Sequence, residues 1–234
     1  MSSKPRKGPA IGTLNEKPLH AALKEWCAEP GDRFEVEVEG FVVDIVRGDA
    51  LVEIQTQGLW SMKRKLLKLT EQHCMRVVYP IAREKWIVKL SKDGKRGMGR
   101  RKSPKRGAIE DVFEELVSIP KLAAEPNFVL EVLLTEEEEV RRRDVERGWR
   151  LKGWVREERR LLGVAERRVL ETPSDFCGLL PSTVEEPFTT SDIAAAMGKP
   201  LWLARQIAYC LREMEAIAAT GKRGNAILYE RAVA

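Results

Sequence analysis

The sequence predicts an α/β (α+β) protein with a mixed β-sheet core flanked by helices, followed by a small helical module. Three observations lead there. Two short apolar segments, Phe41 to Val46 and Ala50 to Gln55, flank Arg47-Gly48-Asp49, the pattern of a β-hairpin with a glycine-containing turn. An amphipathic helical stretch over 59–72 and an apolar strand from Met75 to Ile81 follow, and strand, helix, strand implies a crossover with one parallel pair in the sheet. After a proline-containing stretch, residues 188–234 switch to helix, turn, helix and two short β segments.

The 234 residues are 43% hydrophobic and 33% charged, enough for a core domain plus a small appendage. A net charge of +5 and a pI near 9.0 are modest, but Lys and Arg are clustered, which is the electrostatic footprint of a nucleic-acid partner. Cys27, Cys74, Cys177 and Cys210 lie far apart with no CxxC pair, and only His20 and His73 could join them, which argues against structural zinc. Isolated cysteines without an apolar signal stretch suit a reducing, cytoplasmic setting. No run approaches the roughly eighteen apolar residues of a membrane span, so no membrane partner is expected.

Residues 1–13 read as a flexible basic arm, and residues 14–171 as the main domain. Asn15 as N-cap, with Pro18 in the first turn, opens a helix carrying Leu19, Ala22, Leu23 and Trp26 on one face. Glu16, His20 and Lys24 form a separate polar row on it. Arg33 to Glu39 alternates acid with Val, as a half-buried strand does, and completes a three-stranded meander with the hairpin. In the next helix Leu59, Met62, Leu66, Leu67 and Leu69 oppose Lys63, Arg64, Lys65 and Lys68.

Trp86 to Leu90 is a further strand leading into the basic loop 91–107. Its Lys95, Arg96, Arg100, Arg101, Lys102, Lys105 and Arg106 stand among glycines, as either a β-ribbon tip or a flexible loop for gripping nucleic acid. Ala108 to Ile119 is a short helix with Ile109, Val112, Phe113, Leu116 and Val117 inward, and Asn127 to Leu134 an apolar strand. From Val145 to Leu170 helix and strand templates fit equally. Residues 172–187, with three prolines, read as a linker to the last domain, 188–234.

In that domain Thr190 or Ser191 caps a helix through Met197, Gly198 makes the turn, and Leu201 to Met214 is a longer helix. Ile217 to Thr220, a GKRGN turn and Ala226 to Arg231 follow. The arrangement resembles a winged helix-turn-helix. That resemblance puts Lys199, Trp202, Arg205 and Gln206 on or near the exposed face of a DNA-recognition helix, and Lys222 and Arg223 at the wing tip. Winged helices also bind proteins, and Trp202 could instead be a core residue.

The chemistry centres on the hairpin. Asp44 lies in its first strand and Glu53 in its second, with Glu53 and Gln55 pointing to one side. Facing carboxylates among buried Val and Ile are costly unless something binds them, and a divalent metal would. The plain alternative is a pair of surface acids salt-bridged to nearby Lys or Arg. His20 reads as packed or hydrogen-bonded rather than catalytic.

The order over residues 14–81 is a helix with Glu16, a strand with Asp44, Glu53-Ile54-Gln55 in the next strand, then a helix and a buried strand. This resembles the PD-(D/E)XK nuclease superfamily, and so implies a restriction-endonuclease-like sheet. By that resemblance Asp44 and Glu53 are the acidic metal ligands, the Ile54 carbonyl a further ligand, Gln55 stands at the usual Lys position, and Glu16 is the first-helix Glu. Val43 replaces the Pro. The implied activity is Mg2+- or Mn2+-dependent hydrolysis of phosphodiester bonds, most readily in DNA. An amide at Gln55 lacks the positive charge of Lys, which Lys24 or Lys63 could supply. A homodimer is expected if both strands of a duplex are cut. The competing functions are a non-catalytic DNA-binding protein, either a regulator or an inactive nuclease-fold relic, and a subunit of a larger defence or repair assembly.

Overall fold

The computed structural model describes residues 17–146 and 152–232. The basic arm, Asn15 and Glu16 lie outside the described residues. The fold is α+β, with a seven-stranded mixed sheet flanked by helices and a two-stranded sheet at the C-terminal end.

Helix α1 (Pro18–Cys27) starts on Pro18, a residue suited to the first turn because its missing donor has no helical partner there. The residue before it is Lys17, which makes no side-chain cap. Its buried face is Leu19 and Leu23, while Trp26 is 45% exposed. Strands β1 (Arg33–Val38), β2 (Phe41–Arg47) and β3 (Ala50–Ile54) form the antiparallel meander. Gly48 begins the two-residue β2–β3 loop at φ 56°, a left-handed conformation that glycine adopts without penalty. A 3₁₀ turn (Leu59–Met62) leads into α2 (Lys63–Leu69), which buries Leu66 and Leu69 but leaves Leu67 exposed. The apolar side of α2 is therefore narrower than the leucine pattern suggests.

Strand β4 (Cys74–Leu90) runs parallel to β3, and its 17 residues join what read as two separate strands. Strand β5 (Gly97–Lys102) folds back on the far end of β4, so the basic loop is a β-ribbon. A 3₁₀ turn (Ile109–Val112) and α3 (Phe113–Leu116) bring the chain to β6 (Phe128–Arg143), again parallel to β4. The sheet therefore has two parallel pairs where the sequence suggested one, because this second crossover also returns the chain in the same direction. Strand β7 (Trp154–Leu170) closes the order β1-β2-β3-β4-β6-β7 and resolves the ambiguous stretch as strand. Its two charged runs, Arg156 to Arg160 and Glu166 to Arg168, interrupt the apolar residues and match neither an apolar helix stripe nor an apolar strand face.

One sheet face packs Ile45, Val52, Ile54, Val78 and Leu133 against Leu19 and Leu23 of α1. The other packs Val77, Leu130 and Val132 against α2 and α3, and this core continues without a break into the C-terminal helices. Residues 172–187 are consequently no loose linker. Thr172 and Asp175 form a reciprocal capping box on α4 (Pro173–Cys177), and Phe176, Leu180 and Val184 are buried. Capping residues and linker residues are the same chemical types, which is why composition misleads here.

Helix α5 (Thr190–Met197) is capped by Thr189 rather than Thr190 or Ser191, because only Thr189 has an acid, Asp192, three residues on to complete the box. Gly198 ends it at φ 60°. Helix α6 (Leu201–Glu213) buries Leu203, Ala204, Ile207, Ala208, Cys210 and Leu211. The hairpin β8 (Ile217–Arg223) and β9 (Ala226–Arg231) follows, tied back by a Phe188 to Tyr229 bridge. No described helix is long and apolar enough to cross a membrane.

Candidate active site

Three carboxylates form a row across the meander. The pairs Phe34 to Ile45 and Val36 to Val43 bracket Glu35 and Asp44, and one step beyond Ile45 to Val52 brings Glu53 opposite Asp44. Glu35 is in the left-handed region at φ 52°, an uncommon state for a side-chain-bearing residue in a strand and one that persists only where surrounding contacts hold it.

Each carboxylate receives a basic group from a flanking helix. Lys24 Nζ donates to Glu35 Oε1 at 2.5 Å. His20 Nε2 lies 3.2 Å from Asp44 Oδ2, and Lys65 Nζ 2.5 Å from Glu53 Oε2. Helix α1 thus serves two of the acids and α2 the third. Asp44 Oδ2 also accepts the Ile54 N–H at 2.8 Å, and the Asp44 N–H points to Glu53 Oε2 at 3.4 Å. Lys65 donates a second time, to the Val42 carbonyl at 2.6 Å.

The two central acids respond differently to this setting. Burial pushes the Asp44 carboxyl up, but hydrogen bonding from His20, the charge of His20 and the Ile54 N–H outweigh it, and the net shift is downward. Glu53 is raised to about 7 by burial first and by the Asp44 charge second, with Lys65 opposing.

Gln55 faces away from this pair. Its Nε2 donates to the Gly58 carbonyl at 3.1 Å and to Ser61 Oγ at 3.0 Å, and its backbone N–H donates to Val78 O at 2.9 Å. It braces the β3–α2 loop. The side chains that do face the acids are Lys65 and His20, and neither is singled out for this role by the sequence. His20 shares the polar row of α1 with Lys24, and Lys65 belongs to the run Lys63-Arg64-Lys65. Lys65 differs from its neighbours only in lying next to the buried side of α2, so that its stem is covered while its ammonium reaches in. Among the described residues no three His, Cys, Asp or Glu side chains form a ready metal cage.

A second polar cluster supports the site from β6 and β7. Glu137, fully buried, receives Arg159 Nε at 2.7 Å and Nη2 at 2.8 Å, and Arg159 Nη1 donates to the Thr56 carbonyl at 3.0 Å. This ties the chain just after Gln55 to the long strands.

The basic residues expected to grip nucleic acid are dispersed. On the ribbon Arg100 pairs with Glu138 and Lys102 with Glu84, Arg106 also meets Glu84, and Arg100 and Lys102 lie over the Trp86 ring. Lys95, Arg96, Arg101 and Lys105 are exposed. Lys199 is turned inward, 2.6 Å from Asp111 and 3.3 Å from Glu110, and anchors the α5–α6 turn on the 3₁₀ turn before α3. It does not lie on the outer face, because those two acids attract it to the domain contact. Trp202 is 51% exposed and is no core residue. With Arg205, Tyr209 and Arg212 it makes an outward stripe on α6. Gln206 is half-buried beside that stripe. At the hairpin tip Lys222 is exposed and Arg223 pairs with Asp192 at 2.9 Å.

No solved structure matches the chain. A protein of Treponema pallidum (strain Nichols), described as uncharacterized, is 32% identical over 185 residues, covering 79% of this chain and 73% of that protein. A family model described as a domain of unknown function, DUF8091, matches residues 17–171, the whole of the large sheet from α1 to the end of β7. The chain belongs to this DUF8091 family.

Proposed function

We propose that the protein is a metal-dependent nuclease that hydrolyses phosphodiester bonds, in DNA before other nucleic acids, at Asp44 and Glu53. One observation carries this reading. Asp44 and Glu53 lie on adjoining strands one step past the Ile45 to Val52 pair, close enough that the Asp44 N–H points to Glu53 Oε2 at 3.4 Å and that the Asp44 charge adds to the burial raising Glu53 to about 7. Two adjoining carboxylates are hard oxygen donors of the kind a small dication takes. Asp44, Glu53 and the Ile54 carbonyl would hold Mg2+ or Mn2+. When bound, such an ion polarises a phosphoryl oxygen and acidifies water.

The chain's own residues have separate tasks. Lys65 brings to Glu53 the positive charge that Gln55 lacks, and can meet negative charge developing on the phosphate. His20 fixes the Asp44 carboxylate at Oδ2, while the Ile54 N–H holds the same oxygen from the other side. Gln55 and Ser61 hold the loop that carries α2 and hence Lys65. Also in support is the element order α1, antiparallel β1-β2-β3, α2 and parallel β4, the order that prompts the PD-(D/E)XK resemblance. Four free thiols accord with a reducing, cytoplasmic setting.

The exposed stripe of α6 favours a second reading, a winged-helix DNA-binding protein without catalysis. Its alternation of aromatic and cationic side chains suits a polyanion. Plasmid and linear DNA incubated with protein and Mg2+ or Mn2+ separate the two. The nuclease reading expects cleavage that is lost in Asp44→Ala and in Glu53→Ala; cleavage surviving both substitutions, or absent with every nucleic acid, overturns it. The binding reading expects salt-dependent affinity without cleavage, reduced by Arg205→Ala or Lys222→Ala.

A further inference from the structure

Trp60, in the 3₁₀ turn between β3 and α2, is 71% exposed. An indole left in water forgoes a large apolar burial, and with the exposed Leu67 lining the same groove it makes an apolar patch that a partner would cover. The indole lies against the Gly58 α-carbon, where a methyl group would come within 2.6 Å of Trp60 Cδ1 and Nε1 and displace the ring. The Gly58 carbonyl accepts from Gln55 Nε2 and, at 2.9 Å, from Ser61 Oγ. The same short loop carries the exposed ring and begins at Gln55, two residues beyond Glu53 and one beyond the end of β3.

The ring opens onto a groove of about 1050 Å³ whose walls include Phe41, Ser61 and Leu67, with Lys63 and Arg64 beside them. The groove's acids already have basic partners: Lys68 lies 2.6 Å from Glu71 and 3.8 Å from Glu39, and His73 is 3.1 Å from Glu39. Lys63 and Arg64 are exposed, and among the described residues neither is in an ion pair. An exposed aromatic platform next to two uncommitted cations complements a chain of phosphates bearing unstacked bases. A duplex hides the faces of its bases inside its own stack; a single strand presents them.

We propose that the Trp60 groove binds single-stranded nucleic acid, with a base stacked on the Trp60 indole and adjoining phosphates at Lys63 and Arg64, and so feeds a single strand to Asp44 and Glu53. The delivery rests on the nuclease reading above; the binding does not. The test uses full-length protein in EDTA, where no metal-dependent cleavage intervenes, and fluorescence anisotropy with labelled oligo(dT), oligo(U) and a DNA duplex of equal length.

Trp60→Ala is expected to weaken single-strand binding about 5- to 100-fold while duplex affinity stays within about twofold. Trp60→Phe should retain most of the affinity. Gly58→Ala, which unseats the ring without removing it, should weaken single-strand binding in the same direction. An oligonucleotide of abasic sites should bind wild-type protein as weakly as oligo(dT) binds Trp60→Ala. Preference for oligo(dT) or oligo(U) assigns DNA or RNA. No single-strand binding, an unchanged affinity in Trp60→Ala, or an equal loss for duplex overturns the proposal. Trp60-dependent binding without cleavage in Mg2+ would sink only the nuclease reading, and cleavage with Trp60-independent binding would sink only this one.

Discussion

Lys65 Nζ lies 2.5 Å from Glu53 Oε2, with both side chains only 14% exposed. The ammonium comes from a run of three basic residues of which Lys63 and Arg64 face outward. In the nuclease reading Lys65 takes the role that the resemblance assigns to the position of Gln55. Lys65→Ala is therefore expected to abolish cleavage measured at saturating DNA, with Lys65→Arg restoring part of it and Gln55→Ala costing less than Lys65→Ala. Thermal melting checks that the variants fold.

The raised Glu53 carboxyl makes both stability and activity depend on pH, with opposite signs. Its pKa moves from an ordinary 4.5 to about 7 in the fold. Between those values the native state keeps a proton that the unfolded state has released. Stability therefore falls as pH rises through this window, by at most about 1.4 kcal/mol per pH unit. Glu53→Gln should flatten that slope in chemical denaturation. In the nuclease reading the dication competes with that proton, so the Mg2+ concentration needed for half-maximal cleavage should fall as pH rises through the same window. Asp44 works the other way on stability, since its lowered pKa adds stability present above the unfolded value and lost as pH falls.

Asp44 has a structural task separable from its chemistry. Its Oδ2 accepts the Ile54 N–H at 2.8 Å in a buried position. Asp44→Ala leaves that donor unpaired and should cost about 1–3 kcal/mol in urea unfolding. Asp44→Asn keeps an acceptor and should lose less, yet be as inactive as Asp44→Ala in the cleavage assay, because an amide oxygen is a poor substitute for a carboxylate on a dication. Equal activity in Asp44→Asn and wild type would remove Asp44 from the site.

Glu137 and Arg159 form the most enclosed ion pair near the site, with the Glu137 side chain at 0% and Arg159 at 19% exposure. Arg159→Ala strands a buried charge and releases the Thr56 carbonyl. The expected loss is about 3–5 kcal/mol. A Glu137→Gln, Arg159→Met double variant should recover much of it, as measured by denaturation midpoint with unchanged m value.

The meander, the crossover and the C-terminal helices were legible because apolar residues there recur at a strand's or a helix's own period. Val52 and Ile54 on one side of β3 and Leu51 on the other, or Leu203, Ala204, Ile207 and Leu211 on one side of α6, are positions that alternate or recur whatever the partner is. The long strands β6 and β7 were not legible in the same way. Glu137 and Glu139 of β6 are buried by Arg159, Arg141 and Lys85, so charged residues occupy places where a hydrophobic pattern would have announced a strand. Nor did residues 172–187 show in sequence that Phe176, Leu180 and Val184 join the main core.

By itself the sequence determined the class of structure and the two acids on the hairpin. The short turn at Gly48 brings Asp44 next to Glu53, whereas Gln55, which period two would put on the side of Glu53, lies past the end of β3 and turns to Gly58 and Ser61. Which groups answer those acids was decided only by the tertiary structure. Lys65 and His20 lie 12 and 24 residues away in the chain from the carboxylates they meet, and nothing local distinguishes Lys65 from Lys63. Packing of Leu66 and Leu69 into the core rotates α2 so that Lys65 turns toward Glu53, and packing of Leu19 and Leu23 sets His20 over Asp44. The charge balance of the site is thus a product of how two helices bury their apolar faces, a property that no short stretch of the chain contains.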